Sequence, residues 1–102
     1  MQSLAISHYI ILFNFTDQGI KNVKDSPKRA EAFKTVVEKT GGKLINLYYT
    51  LGKNDIVAIV EAPNDEAIAS VLFATGSLGN VRSKTLKAFP MSEAAKIIEK
   101  LS

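Results

Sequence analysis

Two segments of this chain, residues 8–15 and 56–62, are apolar at nearly every position. A strand that alternates apolar and polar side chains needs cover on one face only, whereas a strand that is apolar throughout must be covered on both. Both segments are rich in β-branched or aromatic residues, which favour strands. We therefore predict that these two segments form the central strands of a sheet.

Two further strands are predicted at residues 43–51 and 81–89. The later one alternates polar and apolar side chains and carries Arg82, Lys84 and Lys87, as is typical of a sheet edge. Gly52 to Asp55 forms a predicted hairpin turn between the second and third strands, because glycine and asparagine favour tight turns.

Three helices are predicted from apolar residues at helical spacing and from capping residues at their ends. A turn is predicted at residues 16–19, followed by a loop or irregular helix at 20–25. The first helix is predicted to begin at Ser26-Pro27 and to end at Gly41-Gly42. The second is predicted to begin at Asn64-Asp65-Glu66 and to end near Gly76 or Gly79, and the final helix is predicted to be capped by Ser92.

The resulting order is β α β β α β followed by a helix. Two interlocked strand–helix–strand units of this kind favour a ferredoxin-like α+β sandwich, in which the first and third strands are central. The chain has 102 residues, which suits one domain over residues 1–102. We predict a single four-stranded antiparallel sheet with its helices on one face.

The second face of this sheet is predicted to be apolar as well. Ile10 and Leu12 on the first strand, and Val57 and Ile59 on the third, alternate with the residues that face the helices. Exposing such a face would cost about 25 cal/mol per Å². We expect a second copy of the chain to cover it, as in dimeric α/β barrels. The alternative is that the terminal helix folds across this face.

Several function classes are excluded or disfavoured by composition. The chain has no cysteine, so it holds no disulfide, iron–sulfur cluster or thiol nucleophile, and we expect no cofactor and no metal. The net charge of +3 does not predict nucleic acid binding, and the third strand lacks the aromatics on which bases stack. Residues 1–7 resemble no secretory signal, and no run is long enough for a membrane span, so we expect a cytoplasmic protein.

Candidate chemistry is sparse, and each candidate has an ordinary structural alternative. His8 is the only histidine and is expected to be a surface residue. Tyr49 could present its hydroxyl to a ligand, and Asp55 could serve either as a turn cap or as an acid facing a cleft. Because ligands often bind where strands end, we predict a weak binding site near the end of the first strand. Its candidate residues are Asn14, Thr16, Lys21, Tyr49 and Asp55.

Nearly the whole chain resembles the GYD domain family. The resemblance rests on residues 9–21 (YIILFNFTDQGIK), 26–30 (SPKRA), 41–43 (GGK), 49–52 (YTLG), 60–63 (VEAP), 65–67 (DEA), 79–83 (GNVRS) and 85–89 (TLKAF). The family signature of Gly, Tyr and Asp falls at the turn between the second and third strands, where Gly52 and Asp55 match and Asn54 stands at the tyrosine position. The resemblance implies a small ferredoxin-like domain and implies no particular activity.

Three functions are compatible with these features. The first is a homo-oligomeric module that binds a small anionic or aromatic molecule. The second is a small enzyme of the dimeric α/β-barrel kind that acts on an organic acid or an aromatic compound, with His8, Tyr49 or Asp55 as the acid or base. The third is a structural or regulatory assembly unit without a pocket. A cavity that contains one of these three residues would favour the enzyme, and a filled interior would exclude it.

Overall fold

Four strands and four helices make up the computed structural model, which describes residues 5–101. The expectation about a secretory signal concerns residues 1–7 and lies partly outside this range. The elements are β1 (Ser7–Phe15), α1 (Asp17–Lys21), a 3₁₀ turn (Val23–Asp25), α2 (Ser26–Lys39), β2 (Lys43–Tyr49), β3 (Ile56–Ala62), α3 (Asp65–Ser77), β4 (Val81–Ala88) and α4 (Met91–Glu99).

The strands form one antiparallel sheet in the order β2-β3-β1-β4. Ile11 at the centre of β1 lies opposite Ala58 of β3 on one side and Thr85 of β4 on the other. The two strands that are apolar on both faces are therefore central, and the predicted ferredoxin-like α+β fold is confirmed. The pairing of β2 with β3 shifts register between Leu44 and Asn46, which marks an irregularity in that edge strand.

The core lies between the sheet and the helices α2 and α3. Ile11, Val37, Val60 and Val71 are its largest fully buried side chains. Burial of each such side chain contributes about 1.5–3 kcal/mol. The rings of Phe13 and Phe33 meet edge to face with centroids 5.5 Å apart, and this contact joins β1 to α2.

Three local predictions are corrected by the structure. The turn predicted at residues 16–19 instead begins the short helix α1, since the Thr16 hydroxyl accepts a hydrogen bond from Gly19 N at 3.1 Å. Ser26 does not cap α2, because its side chain is buried and its hydroxyl lies 2.8 Å from the Tyr49 hydroxyl. Ser92 does not cap α4, which begins at Met91 without a side-chain cap.

The second face of the sheet is uncovered in the single chain. We call this the open face and define its apolar part by Ile10, Leu12, Tyr48, Val57, Ile59 and Leu86. Tyr48 is 54% exposed and Leu86 is 50% exposed. No residue of α4 is buried, so the structure does not show the terminal helix folded across this face. The predicted pairing with a second copy remains a prediction.

Candidate functional site

Asp55 ties the end of β1 to the turn between β2 and β3. Its carboxylate accepts a hydrogen bond from Phe15 N at 2.8 Å, and its own N–H donates to Phe13 O at 2.9 Å. Its carbonyl accepts from Thr50 N at 2.8 Å. These bonds give Asp55 the role of fixing the turn against the central strand.

The same turn is held by two further bonds. The Asn14 side-chain amide donates to Lys53 O at 2.6 Å, and the Thr50 hydroxyl donates to Asn54 O at 2.7 Å. Gly52 has φ +107°, a left-handed conformation that favours glycine. The φ of Asn54 is not positive. The backbone of the turn therefore does not require asparagine at the position where the family signature has tyrosine.

Thr16 connects the end of β1 to the start of β4. Its hydroxyl donates to Gly79 O at 2.6 Å, and its N–H donates to Asn80 O at 3.1 Å. Gly19 on α1 is buried, and a Cβ added there would lie 1.9 Å from Asn80 O. The glycine therefore permits close backbone contact between α1 and the segment that leads into β4.

The remaining two predicted site residues differ in their surroundings. The Tyr49 hydroxyl contacts the buried Ser26 hydroxyl at 2.8 Å, which joins the end of β2 to the first turn of α2. Lys21 is exposed, and its side chain makes no hydrogen bond or ion pair among residues 5–101. Four of the five predicted residues thus serve contacts that hold this end of the sheet together, and their ligand role remains a prediction.

An apolar cleft lies at the same end of the sheet, between α2 and α3. It has a volume of about 430 Å³ and is partly open to solvent. Its floor includes Phe13, Ile56 and Val81, and its walls are mostly alanine, valine, leucine and phenylalanine side chains from the two helices. None of the five predicted site residues lines it, although Ser26, the contact of Tyr49, does.

Arg29 is the one ionisable side chain among the described residues that line the cleft. Its guanidinium donates to Asn22 O at 3.0 Å and to Gly19 O at 3.2 Å. A guanidinium has five N–H groups, so these two bonds leave donors for another acceptor. The arginine combines a structural role at the end of α1 with a position on the cleft.

The sequence analysis predicted α2 from apolar residues at helical spacing and identified no cleft beside it. A signal that could have drawn attention to the other wall is the absence of any charged residue over positions 67–81. A surface helix normally has a polar outer face, but Phe73 on α3 is 78% exposed and Leu78 is 64% exposed. Phe73 near the C-terminal end of α3 and Leu78 just after it are therefore exposed apolar side chains, and Leu78 also lines the cleft.

Two carboxylates that are distant in sequence lie beside His8, near the start of β1. Glu61 on β3 is 3.8 Å from His8 Nδ1, and Glu93 on α4 is 3.3 Å from His8 Nε2. Neither acid is a sequence neighbour of His8, since both come from other elements, so their proximity was not predicted. Within residues 5–101 no group of three potential ligands is placed to hold a metal ion.

A second polar cluster joins β1, α3 and β4 near the same end of β1. The Tyr9 hydroxyl donates to the Asp65 carboxylate, and Lys87 Nζ lies 3.0 Å from Asp65 Oδ1. Burial, followed by the bond to Asp65, raises the pKa of Tyr9 above its ordinary value. The hydrogen bonds from Tyr9 and then Lys87 hold the pKa of Asp65 below its ordinary value. The cluster fixes the start of α3 against the sheet.

Comparison with known structures shows a fold shared with larger regulators. The leucine response regulatory protein LrpA of Mycobacterium tuberculosis has a TM-score of 0.63 and 18% identity, over 83% of this chain and 51% of that one. This chain therefore spans about half the length of LrpA. The protein TTHA0845 from Thermus thermophilus has a TM-score of 0.53 and 22% identity, over 82% of this chain and 94% of that one. At these identities the likeness shows the fold alone.

Sequence comparison gives a nearer relative and a family. A protein of Thermus thermophilus named "Glutamine synthetase and cystathionine beta-lyase binding protein" is 29% identical over 86 residues, which are 83% of this chain and 90% of that protein. No helix among residues 5–101 is both long enough and apolar enough to cross a membrane. The sequence profile of the GYD domain matches residues 9–98. The chain belongs to the GYD domain family.

Proposed function

We propose that this chain is a homo-oligomeric module that binds a small molecule in the cleft between α2 and α3. The observation that carries the proposal is the cleft itself, with its volume of about 430 Å³ and mostly apolar walls. Ligand sites in proteins usually have about 300–1,000 Å³, apolar walls and few polar groups. We further propose a cytoplasmic location, which suits a chain without cysteine.

The lining of the cleft favours an aliphatic or aromatic body with one carboxylate. Phe13, Phe33 and Leu47 offer apolar contact, whereas Arg29 supplies the one positive charge among the described lining residues. Guanidinium groups bind carboxylates with charge-assisted hydrogen bonds. The adjacent Ser26 and Asn80 add polar atoms that could orient the carboxylate end.

Self-association through the open face is the second part of the proposal. Monomeric proteins rarely expose a large continuous apolar patch. Half-exposed Tyr48 and Leu86 lie at the two edges of the open face, and four aliphatic side chains lie between them. Covering this face with a second copy would remove the patch from water, and a two-fold axis would close the assembly.

Two other functions are weighed against this proposal. The name of the Thermus relative favours a protein-binding module, and the exposed Phe73, together with Leu78 on the lining of the cleft, would suit a protein partner. The enzyme alternative requires an acid or base in a cavity, but the described residues that line the cleft include no histidine, aspartate, glutamate or tyrosine. The cleft thus supports binding better than acid–base catalysis.

Thermal-shift measurements with hexanoate, octanoate and phenylacetate test the ligand proposal. A ligand at 100 times its dissociation constant stabilises a protein by about 2.7 kcal/mol. For a domain of about 100 residues this corresponds to a rise in Tm of about 10 °C or more. Octanamide should stabilise the protein less than octanoate, because it lacks the charge that Arg29 would bind.

The matched variants place a phenylalanine inside or outside the cleft. Ala74→Phe fills the mouth of the cleft and should abolish the shift, because Ala74 lines it. Ser70→Phe adds the same ring one turn earlier on α3, where the residue is exposed and outside the lining, and should retain the shift. Lack of stabilisation by every carboxylate, or an Ala74→Phe response equal to that of the unmodified chain, would count against the cleft as the ligand site.

A further inference from the structure

The terminal helix α4 has one apolar side that is largely exposed in the single chain. Ala94, Ile97, Ile98 and Leu101 follow the i, i+3, i+4, i+7 spacing that places residues on one side of a helix. Ile97 is 50% exposed, Ile98 is 62% exposed and Leu101 is 72% exposed. We call these four residues the α4 stripe. A stripe of this kind normally packs against another surface.

The shape of the chain shows that α4 does not supply this contact by packing on its own domain. The radius of gyration is 15.1 Å, whereas a compact domain of about 100 residues has about 13 Å. The longest dimension is 51 Å and the shortest is 18 Å. An extended shape and a terminal helix without a buried residue together indicate that α4 projects from the domain.

The contact between His8 and Glu93 places the first turn of α4 on the side of the open face. His8 alternates with the core residue Tyr9 on β1, so its side chain belongs to the open side of the sheet. Glu93 Oε2 lies 3.3 Å from His8 Nε2. The helix therefore begins at one end of the open face and continues away from its own sheet.

We propose that α4 packs against the open face of a second copy of this chain. Each chain carries one α4 stripe and one open face, both apolar; three of the four stripe residues are exposed, as are Tyr48 and Leu86 at the edges of the open face. Under a two-fold axis each copy supplies its helix to the partner and receives the partner's helix, so every α4 stripe is covered together with part of every open face. The proposal rests on the self-association in the proposed function and adds the element that completes it.

The size of the surfaces supports a contribution from both the sheet and the helix. A sheet of four strands with seven residues each spans about 19 by 23 Å, which is a projected area of about 440 Å². A standard interface buries about 800 Å² on each partner. Residues 91–101 form a segment about 16 Å long and about 10 Å wide, so covering α4 adds about 160 Å² of projected area to each copy. Accessible area exceeds projected area, so the two measures compare only in order of magnitude; on that scale the sheet supplies most of such an interface, and α4 enlarges it.

Disulfide trapping tests this contact directly because the natural chain contains no cysteine. One population carries Ile98→Cys, and a second, isotopically labelled population carries Tyr48→Cys or Leu86→Cys, at either edge of the open face. The two populations are mixed, allowed to exchange subunits and oxidised. We expect at least about tenfold more covalent heterodimer than in the control mixture with Lys96→Cys, which lies on the opposite side of α4 from the stripe.

Sedimentation equilibrium of full-length variants gives an independent measure. Replacing Ile97 and Ile98 together by glutamate should raise the dimer dissociation constant by about 30-fold or more, since each dimer loses the contact twice. Lys96→Glu should change it by less than about threefold. The variants should keep the far-UV circular dichroism of the fold, since no residue of α4 is buried.

The outcomes separate this proposal from the one on which it rests. A natural chain that stays monomeric at high concentration contradicts both. A dimer whose dissociation constant is unchanged by the two glutamates, with no excess of heterodimer over the Lys96→Cys control, contradicts the packing of α4 alone. A disulfide that forms within single chains of an Ile98→Cys, Tyr48→Cys double variant and never between chains also overturns it.

Discussion

Replacing Asp55 by alanine should weaken the turn that carries the family signature. The carboxylate of Asp55 accepts the hydrogen bond of Phe15 N at 2.8 Å, and Phe15 is half-buried at the end of β1. Alanine would leave this N–H without its acceptor. The two backbone bonds of Asp55, to Phe13 O and from Thr50 N, do not depend on the side chain. The substitution therefore isolates the contribution of one charge-assisted hydrogen bond.

The expected loss follows from the energy of such a bond. A hydrogen bond to a charged group contributes about 1.5–3 kcal/mol, and an orphaned partner adds to the cost of losing it. Because Asp55 and Phe15 are only half-buried, water can partly satisfy the freed N–H, and we expect about 2 kcal/mol. For a domain of this size that loss lowers Tm by about 8–16 °C. Asp55→Asn keeps a neutral acceptor and should cost about half as much.

Urea unfolding followed by far-UV circular dichroism measures these losses at one fixed protein concentration, since self-association would shift the midpoint. The m-value should not change. Asn54→Tyr restores the signature tyrosine at the neighbouring position and serves as the control, because only the backbone carbonyl of Asn54 bonds to Thr50. It should change stability by less than about 0.5 kcal/mol. An Asp55→Ala variant within about 0.5 kcal/mol of the natural chain in this assay would refute the role assigned to the carboxylate.

Two further predictions concern close packing and pH. Gly19→Ala places a Cβ 1.9 Å from Asn80 O, so α1 must move away from the segment before β4. We expect the free energy of unfolding to fall by about 2–4 kcal/mol in the same urea assay. A fall below about 1 kcal/mol would contradict the close contact between Gly19 and Asn80. The folded-state pKa of Asp65 is lowered first by Tyr9 and then by Lys87, so its stabilising effect is present above its unfolded pKa. The free energy of unfolding should fall as the pH drops below about 4, and Asp65→Asn should make this fall shallower. A variant with the same pH profile as the natural chain would contradict the role assigned to Asp65.

The architecture was predictable because its signals are local. The apolar runs of β1 and β3 place both strands at the centre of the sheet, and the charged alternation of β4 marks it as an edge. The errors concern residues whose conformation depends on distant neighbours. Thr16 begins a helix because it bonds to Gly79 and Asn80, which follow α3 and are more than 60 residues away in the sequence. Ser26 bonds to Tyr49 across the domain instead of capping its own helix.

The candidate site was predictable only in part for the same reason. The turn at Gly52 and Asp55 is short-range in structure, and its residues were identified from the sequence. The cleft depends on the separation of α2 and α3, and no short sequence pattern encodes that distance. The carboxylates beside His8 come from β3 and α4, so their proximity follows from the tertiary fold.

The central claim is that the cleft between α2 and α3 is a ligand site. Its most direct test is a ¹H–¹⁵N correlation NMR titration of the natural chain with octanoate. We predict saturable shifts of the backbone amides of Ala30 and Phe33 on α2, Ala74 on α3 and Leu78 just after α3, all of which line the cleft. Shifts confined to the open face, or no shift at any of these four amides at millimolar octanoate, would contradict the claim.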